Sequence, residues 1–309
     1  MIDDNKMAKF LIIYKNNKVL FSVLLGILLG CLPYVSDAKK KTAVYLVAGQ
    51  SNTDGRVNND LLPDDIKRDK YHFCHWSFGS GRYSGNGKFE IFWPHIYDLK
   101  QPARWAYDAV VYYWLEQSLK RDFYIIKESL GGTAIDTRAV SRDSMYWNAS
   151  PAYLASTSAS DKGGKSLLKA FTENICACID NELSRHSHGY DIKALMWHQG
   201  ESDSRYASSY YENLKAVIAY VRKYLVEKTG KRRYAKLPVL IGGISHSSQD
   251  YRKEVEAAQR RLAQEDRNVF FVEVPDASLQ SDHLHFDAGG AELLGMKMYE
   301  QLRKLHLTK

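Results

Sequence analysis

Polar residues and glycines stand directly after four segments of the chain that read as buried strands. The apolar segment 42–49 runs into Gly-Gln-Ser-Asn, which places Ser51 just beyond its end. The other three groups are Gly-Gly at 131–132, "WHQGESD" at 197–203 and "DHLHFDAGG" at 282–290. Because the carboxyl ends of parallel strands lie on one edge of a sheet, we expect these groups to meet there.

The residue types in these groups suit nucleophilic catalysis by a serine. A serine hydroxyl becomes an effective nucleophile when a base removes its proton, and a histidine suits that task. His285 can be the base, and Asp282, three residues earlier, can fix its tautomer. The resulting oxyanion needs hydrogen-bond donors already in place. The backbone N–H groups of Ser51 and of a glycine at 131 or 132, with the Gln199 amide, can supply them.

Two other kinds of site fit the sequence less well. The histidines at 198, 246, 283 and 285 show no His-x-x-x-His spacing, and there is no Cys-x-x-Cys, so we predict no metal and no cofactor. Gly49 matches the first glycine of the G-x-S-x-G turn of α/β-hydrolases, but Thr53 stands where the second would be. We expect Gly49 instead to permit the tight turn that raises Ser51.

The apolar pattern predicts an α/β fold whose parallel sheet carries these groups. Five segments are nearly continuous in apolar residues, as strands covered on both faces are. Helical patterns separate them, and this alternation indicates a doubly wound sheet. The predicted strands are 42–49, 122–129, 191–199, 237–244 and 268–275, and the predicted helices are 104–120, 165–185, 205–228, 252–265 and 289–305.

Two long segments, 53–100 and 133–164, are predicted to be loops that border the site, since both follow strand ends. Four aromatic residues lie in them: Trp76, Phe92, Trp93 and Trp147. Each of these rings either stacks on a sugar or packs within the protein, and the sequence favours neither.

The first 38 residues read as a secretory signal. Basic residues precede an apolar run at 19–33 that is short for a membrane span, and small residues follow it. We favour cleavage after Ala38, which leaves one domain at 39–309. The alternative is a bacterial lipobox, in which the signal ends at Gly30 and Cys31 carries a lipid, the only membrane contact we predict. Both alternatives predict export, to the periplasm or out of the cell.

The charge of the chain argues against nucleic acid as a partner. The formal net charge is +7, and no nucleic-acid motif accompanies the densest basic cluster, "KRRYAK" at 231–236. The three cysteines after the signal lack the spacing of a disulfide framework, so we expect them to be small buried residues. They are Cys74, Cys176 and Cys178.

The sequence resembles the SGNH hydrolases, in the branch that contains sialate O-acetylesterases and family 6 carbohydrate esterases. Four blocks carry the resemblance in the same order: "AGQSNTDGR", "GGTAI", "WHQGESD" and "DHLHFDAGG". The resemblance runs from about Tyr45 to Leu305. It implies a three-layer α/β/α sandwich with a flavodoxin-like, five-stranded parallel sheet. It also implies hydrolysis of acetyl esters on carbohydrates without a metal.

Carried over by position, the resemblance makes Ser51 the nucleophile, His285 the base and Asp282 the acid. Glu201, in the third block, is an alternative acid. We favour Asp282, because an aspartate three residues before the histidine is the arrangement of the superfamily.

The other site residues come from the same blocks and from their neighbours. The resemblance implies oxyanion-hole donors at Ser51, at Gly131 or Gly132, and at Gln199. Substrate contacts are predicted for Asn52, Arg56, Trp147 and His198. The predicted partner is an acetylated carbohydrate, either a polysaccharide or sialic acid. A lipid or thioester hydrolase on the same fold and a catalytically inactive glycan-binding module are the alternatives.

Overall fold

The computed structural model describes residues 40–66, 71–93 and 104–309. The predicted signal at 1–38 and the lipid site at Cys31 lie outside these residues. Within the described ranges, none of the helices combines the length and the apolar composition needed to cross a membrane.

A seven-stranded sheet forms the centre of the fold. Its strands are β1 (Thr42–Gly49), β3 (Cys74–Gly79), β4 (Glu90–Ile91), β6 (Phe123–Ser129), β7 (Tyr190–His198), β8 (Val239–Gly242) and β9 (Val269–Val272). They lie in the order β4-β3-β6-β1-β7-β8-β9, and all neighbours are parallel except β3 and β4. A separate antiparallel pair joins β2 (Val57–Asn58) to β5 (Arg104–Trp105).

Helices follow most strands, as the alternating pattern predicts. They are α1 (Ser51–Asp54), α2 (Tyr107–Leu119), α3 (Pro151–Ser156), α4 (Leu167–Asn181), α5 (Ala207–Thr229), α6 (Lys253–Glu265) and α7 (Ala288–Lys304). The buried faces of α4, α5 and α6 close one apolar core, and those of α2 and α7 close a second.

The side chains of β1 show why helices cover both faces of the sheet. Leu46 and Ala48 belong to the core under α4, α5 and α6, whereas Tyr45 and Val47 belong to the core under α2 and α7. Because a strand buried on both faces gains from an apolar residue at every position, it reads as a continuous apolar run. The predicted α/β/α sandwich is therefore confirmed.

The five predicted strands correspond to β1, β6, β7, β8 and β9, in the flavodoxin-like order second-first-third-fourth-fifth. The predicted number of strands is wrong, because β3 and β4 extend the sheet within the segment 53–100. β3 is six residues long and mixes His75 and Ser77 with its apolar residues, so its pattern does not stand out from a loop.

Two of the aromatic residues singled out in that segment belong to the core. Trp76 and Phe92 are 4% and 3% exposed, and their rings meet edge to face with centroids 4.9 Å apart. Packing within the protein, rather than stacking on a sugar, is the correct alternative for both. The second long segment, 133–164, is irregular apart from α3 and short 3-10 turns.

Candidate active site

The carboxyl ends of β1, β6 and β7 lie side by side at one edge of the sheet, and the first three sequence blocks lie at these ends or just after them. Gly49, the last residue of β1, lies opposite Ser129 of β6 on one side and His198 of β7 on the other. The first three blocks therefore continue from neighbouring points of the sheet edge. The approach is close at Gly49, since a Cβ there would lie 2.1 Å from the His198 carbonyl oxygen. A glycine is needed at this position.

Gln50 fixes the turn that carries Ser51. Its N–H donates to the His198 carbonyl at 3.1 Å, and its Oε1 accepts from the N–H groups of Gly200 and Ser202, both at 3.3 Å. Ser51 then opens α1 with only 4% of its surface exposed. The Ser51 backbone N–H donates to no other described residue, so it remains available to an oxyanion.

Gly131 lies against Ser51. A Cβ on Gly131 would lie 3.2 Å from the Ser51 Cβ and 1.9 Å from Arg56 Nη2. The N–H groups of Gly131 and Gly132 donate no hydrogen bond within the described chain. Gly132 has φ of 73°, a left-handed conformation that favours glycine. Backbone donors of two loops thus surround the serine.

His285 is hydrogen bonded to Asp282, with 2.6 Å between Nδ1 and Oδ2. The other carboxylate oxygen accepts from the backbone N–H groups of Leu284 and His285 at 2.9 and 3.0 Å. Burial alone would raise the pKa of Asp282, but these backbone donors and the His285 ring lower it below its ordinary value. An ionised carboxylate at Nδ1 keeps the proton on that nitrogen and leaves Nε2 able to accept one.

Asn52 connects the His285 loop to the Ser51 turn. Its Oδ1 accepts from the Phe286 N–H at 3.0 Å, and its Nδ2 donates to the Leu284 carbonyl at 3.5 Å. Both neighbours of His285 are therefore bound to the residue that follows Ser51. The Ser51 hydroxyl itself makes no hydrogen bond to His285. Catalytic hydrogen bonds of this kind often tighten only in the complex with substrate.

Residues 159–304 match the model of the family described as "Carbohydrate esterase, sialic acid-specific acetylesterase". The matched range includes the third and fourth blocks. The chain is similar to this family over 146 of its 309 residues. It is a carboxylic ester hydrolase, and the predicted resemblance is confirmed. A search of curated proteins gives no match.

Solved structures share the fold of this esterase. A protein from Arabidopsis thaliana is 18% identical and has a TM-score of 0.58, with 86% of this chain and 99% of that chain covered. NanS is 13% identical and has a TM-score of 0.58, with 87% and 98% covered. A carbohydrate acetylesterase from Xanthomonas citri is 15% identical and has a TM-score of 0.53, with 86% and 57% covered.

The alternative acid of the esterase, Glu201, is bound elsewhere. Its Oε1 lies 3.3 Å from His198 Nε2 and accepts from Asn52 Nδ2 at 3.1 Å. Asp282 is thus the carboxylate that contacts His285. The His198 side chain is fully buried, so the prediction that it contacts substrate is wrong.

Gln199 has no hydrogen left for an oxyanion. Its Nε2 donates to the Thr133 carbonyl at 3.2 Å and to Asp203 Oδ2 at 2.6 Å, and an amide nitrogen has only two hydrogens. Without substrate the Gln199 amide is thus engaged by the protein, and its predicted role as an oxyanion donor stays a prediction. Asp203 also accepts from the N–H groups of Ile135 and Asp136 at 2.9 and 2.8 Å. Gln199 and Asp203 together hold the loop of the second block.

The remaining residues predicted to contact substrate are Trp147, Asn52 and Arg56. Trp147 is fully buried and donates from Nε1 to Thr133 Oγ1 at 3.2 Å, so the prediction that it contacts substrate is wrong. Asn52 directs its amide to protein partners instead of a substrate. Arg56 Nη1 pairs with Asp54 at 2.8 Å, while Nη2 lies beside Gly131.

Three residues that orient the site were missed from the sequence: Gln50, Asp203 and Gln280. Gln280 Nε2 donates to the carbonyls of Phe286 and Arg56, both at 2.9 Å, and so ties the His285 loop to the segment after α1. Gln50 and Asp203 lie inside the sequence blocks, which was a usable signal. Gln280 lies before the fourth block, so no sequence signal pointed to it. Among the described residues, no cluster of His, Cys, Asp and Glu is arranged to hold a metal ion.

Proposed function

We propose that Ser51, His285 and Asp282 form the catalytic triad of an esterase that removes O-acetyl groups from carbohydrates. One observation carries this proposal. The residue after Ser51 is hydrogen bonded to both neighbours of His285, and His285 is hydrogen bonded to Asp282. The match of residues 159–304 to the esterase family model supports an ester as substrate.

In the proposed reaction, Ser51 Oγ attacks the acetyl carbonyl carbon while His285 Nε2 takes the hydroxyl proton. The oxyanion is stabilised by the N–H groups of Ser51 and of Gly131 or Gly132. The ester bond then breaks, and His285 gives its proton to the departing sugar oxygen. A water molecule then gives a proton to His285 Nε2 and attacks the acetyl carbonyl carbon. The bond from that carbon to Ser51 Oγ breaks, His285 returns the proton to Oγ, and acetate leaves.

We further propose that the preferred sugar is anionic, such as sialic acid, rather than a neutral polysaccharide. Arg56 Nη2 lies beside Gly131. Arg142 is exposed, its N–H donates to the Gly132 carbonyl at 2.8 Å, and no ion pair within the described residues engages its side chain. Because Arg56 is already paired with Asp54, the uncompensated charge is that of Arg142, and a cationic side chain on the residue bound to Gly132 favours a negatively charged substrate.

The test of the esterase proposal is acetate release from para-nitrophenyl acetate. Ser51→Ala is expected to lower kcat by at least about 10³-fold, because it removes the nucleophile. Ser77→Ala is the matched control, since Ser77 is equally buried but hydrogen bonded to Asn174. Undiminished activity in Ser51→Ala would refute the triad. Preference for long acyl chains over acetyl would favour a lipid hydrolase instead.

We also propose that the protein is exported, on the basis of the signal pattern at 1–38. Mass spectrometry of the mature protein from fractionated cells tests this. A chain that starts at Lys39 supports cleavage after Ala38, and a lipidated chain that starts at Cys31 supports the lipobox. An unprocessed chain in the cytoplasm contradicts export.

A further inference from the structure

We propose that Asn52 and Glu201 are positioning residues that set the His285 loop against the Ser51 turn. Asn52 holds the loop, and Glu201 determines which way the Asn52 amide faces. The effect on turnover rests on the proposed function, whereas the contact between Asn52 and the loop exists, and can be measured, without it.

The three partners of Asn52 allow one orientation of its amide. The Leu284 carbonyl and the Glu201 carboxylate only accept hydrogen bonds, and the Phe286 N–H only donates. Nδ2 must therefore face the first two and Oδ1 the third, as the distances of 3.5, 3.1 and 3.0 Å require. Because only 5% of its surface is exposed, Asn52 has little access to water in place of these partners.

The two backbone contacts lie on either side of His285. They fix the position of the loop, while the Asp282 carboxylate fixes the direction of the ring through Nδ1. These restraints are separate, because no hydrogen bond joins Asp282 to Asn52. A displacement of about 1 Å between reacting groups costs about 10²-fold in rate. The loop restraint is therefore expected to matter for turnover even though Asn52 touches no reacting atom.

Glu201 and His198 form a buried pair beneath Asn52. His198 Nδ1 faces the Gly242 carbonyl at 3.1 Å, and Nε2 faces Glu201 Oε1 at 3.3 Å. Both groups that the ring faces are thus hydrogen-bond acceptors. Burial would raise the pKa of Glu201, but His198 and the Asn52 amide lower it. Glu201 is thus an ionised acceptor directed at Asn52 Nδ2.

This assignment gives Glu201 a role distinct from that of the triad acid. A triad acid acts through its charge on His285, so its amide variant should fail. A positioning residue needs an acceptor oxygen opposite Asn52 Nδ2, and glutamine retains one. Glu201→Gln is therefore expected to keep most of the turnover that Glu201→Ala loses.

The experiment compares Asn52→Ala with Asn174→Ala in the full chain. Asn174 is a matched control, because it is 2% exposed and its Oδ1 accepts from the Gly87 N–H at 2.9 Å, at the β3 edge of the sheet. Hydrogen exchange of the Phe286 amide and the kcat and KM for para-nitrophenyl acetate are measured in both. In Asn52→Ala we expect faster exchange at Phe286 and a kcat lower by about 10²-fold with little change in KM.

In Asn174→Ala we expect neither effect. Unchanged exchange at Phe286 in Asn52→Ala, or an unchanged kcat, would overturn the proposal. Equal loss of kcat in Glu201→Gln and Glu201→Ala would overturn the part assigned to Glu201. An inactive wild-type protein would contradict the proposed function alone, because hydrogen exchange still decides whether Asn52 holds the loop.

Discussion

The hydrogen bond between His285 and Asp282 leads to a specific expectation for Asp282→Asn. In this variant Oδ1 keeps its bonds from the N–H groups of Leu284 and His285, so the loop retains its shape. The amide nitrogen then replaces Oδ2, 2.6 Å from His285 Nδ1. Two N–H donors cannot face each other, so the ring must carry its proton on Nε2. That nitrogen is the one required to accept the proton of Ser51.

The expected loss in kcat is on the order of 10² to 10³-fold. A hydrogen bond to a charged group contributes about 1.5–3 kcal/mol, and each factor of ten in rate corresponds to about 1.4 kcal/mol. The lost hydrogen bond alone therefore lowers kcat by about 10- to 150-fold, and the unfavourable tautomer of His285 lowers it further. The Asp282 side chain is 45% exposed, so water screens its charge. The loss should stay below the roughly 10⁴-fold seen for a buried triad acid.

The assay is steady-state hydrolysis of para-nitrophenyl acetate, with thermal unfolding measured on the same samples. We expect Asp282→Asn to unfold near the wild-type temperature, because its backbone contacts remain. An Asp282→Asn variant with wild-type turnover, beside a Glu201→Gln variant without turnover, would refute the choice of Asp282 as the acid.

Three other perturbations test separate contacts. Gly131→Ala places a Cβ 1.9 Å from Arg56 Nη2, the free end of a flexible side chain that can move, and 3.2 Å from the Ser51 Cβ, so we expect a loss of about 1 kcal/mol or less in thermal unfolding and a lower kcat. Burial raises the pKa of Asp203 from 3.8 to about 6. The folded state therefore binds the Asp203 proton more tightly than the unfolded state does. This difference stabilises the folded state fully below pH 3.8, and the stabilisation is lost as the pH rises through about 6. Asp203→Asn should remove that part of the pH dependence in denaturant unfolding, and an unchanged profile would contradict the assignment. Arg142→Gln should raise KM for O-acetylated sialic acid by up to about fivefold, since an exposed ion pair contributes at most about 1 kcal/mol. It should leave KM for para-nitrophenyl acetate unchanged.

The central strands could be predicted because a strand that is buried on both faces is apolar at nearly every position. β1 carries apolar residues on both faces between Ala43 and Ala48. β3 and β4 could not, because neither forms an apolar run. β3 includes His75 and Ser77, and Ser77 is buried through a hydrogen bond to Asn174 instead of through an apolar side chain. β4 is only two exposed residues, Glu90 and Ile91, which is too short for a pattern.

The same limit applies to the site. The order of the blocks identifies Ser51, His285 and Asp282 as candidates, because spacing along one loop already brings an acid to a histidine. The direction of Gln199 depends on Asp203 and on the Thr133 carbonyl, which reach it only after the loops are packed. Its hydrogen-bond partners therefore could not be read from the sequence.

The central proposal is that Ser51 removes acetyl groups from an O-acetylated sugar. The most direct measurement is the acetate that wild-type protein and Ser51→Ala release from O-acetylated sialic acid, with acetylated xylan as the neutral comparison. We predict release by the wild type, faster from the sialic acid, and none above background by Ser51→Ala. Equal release by the two proteins, or none by the wild type from either sugar, would contradict the proposal.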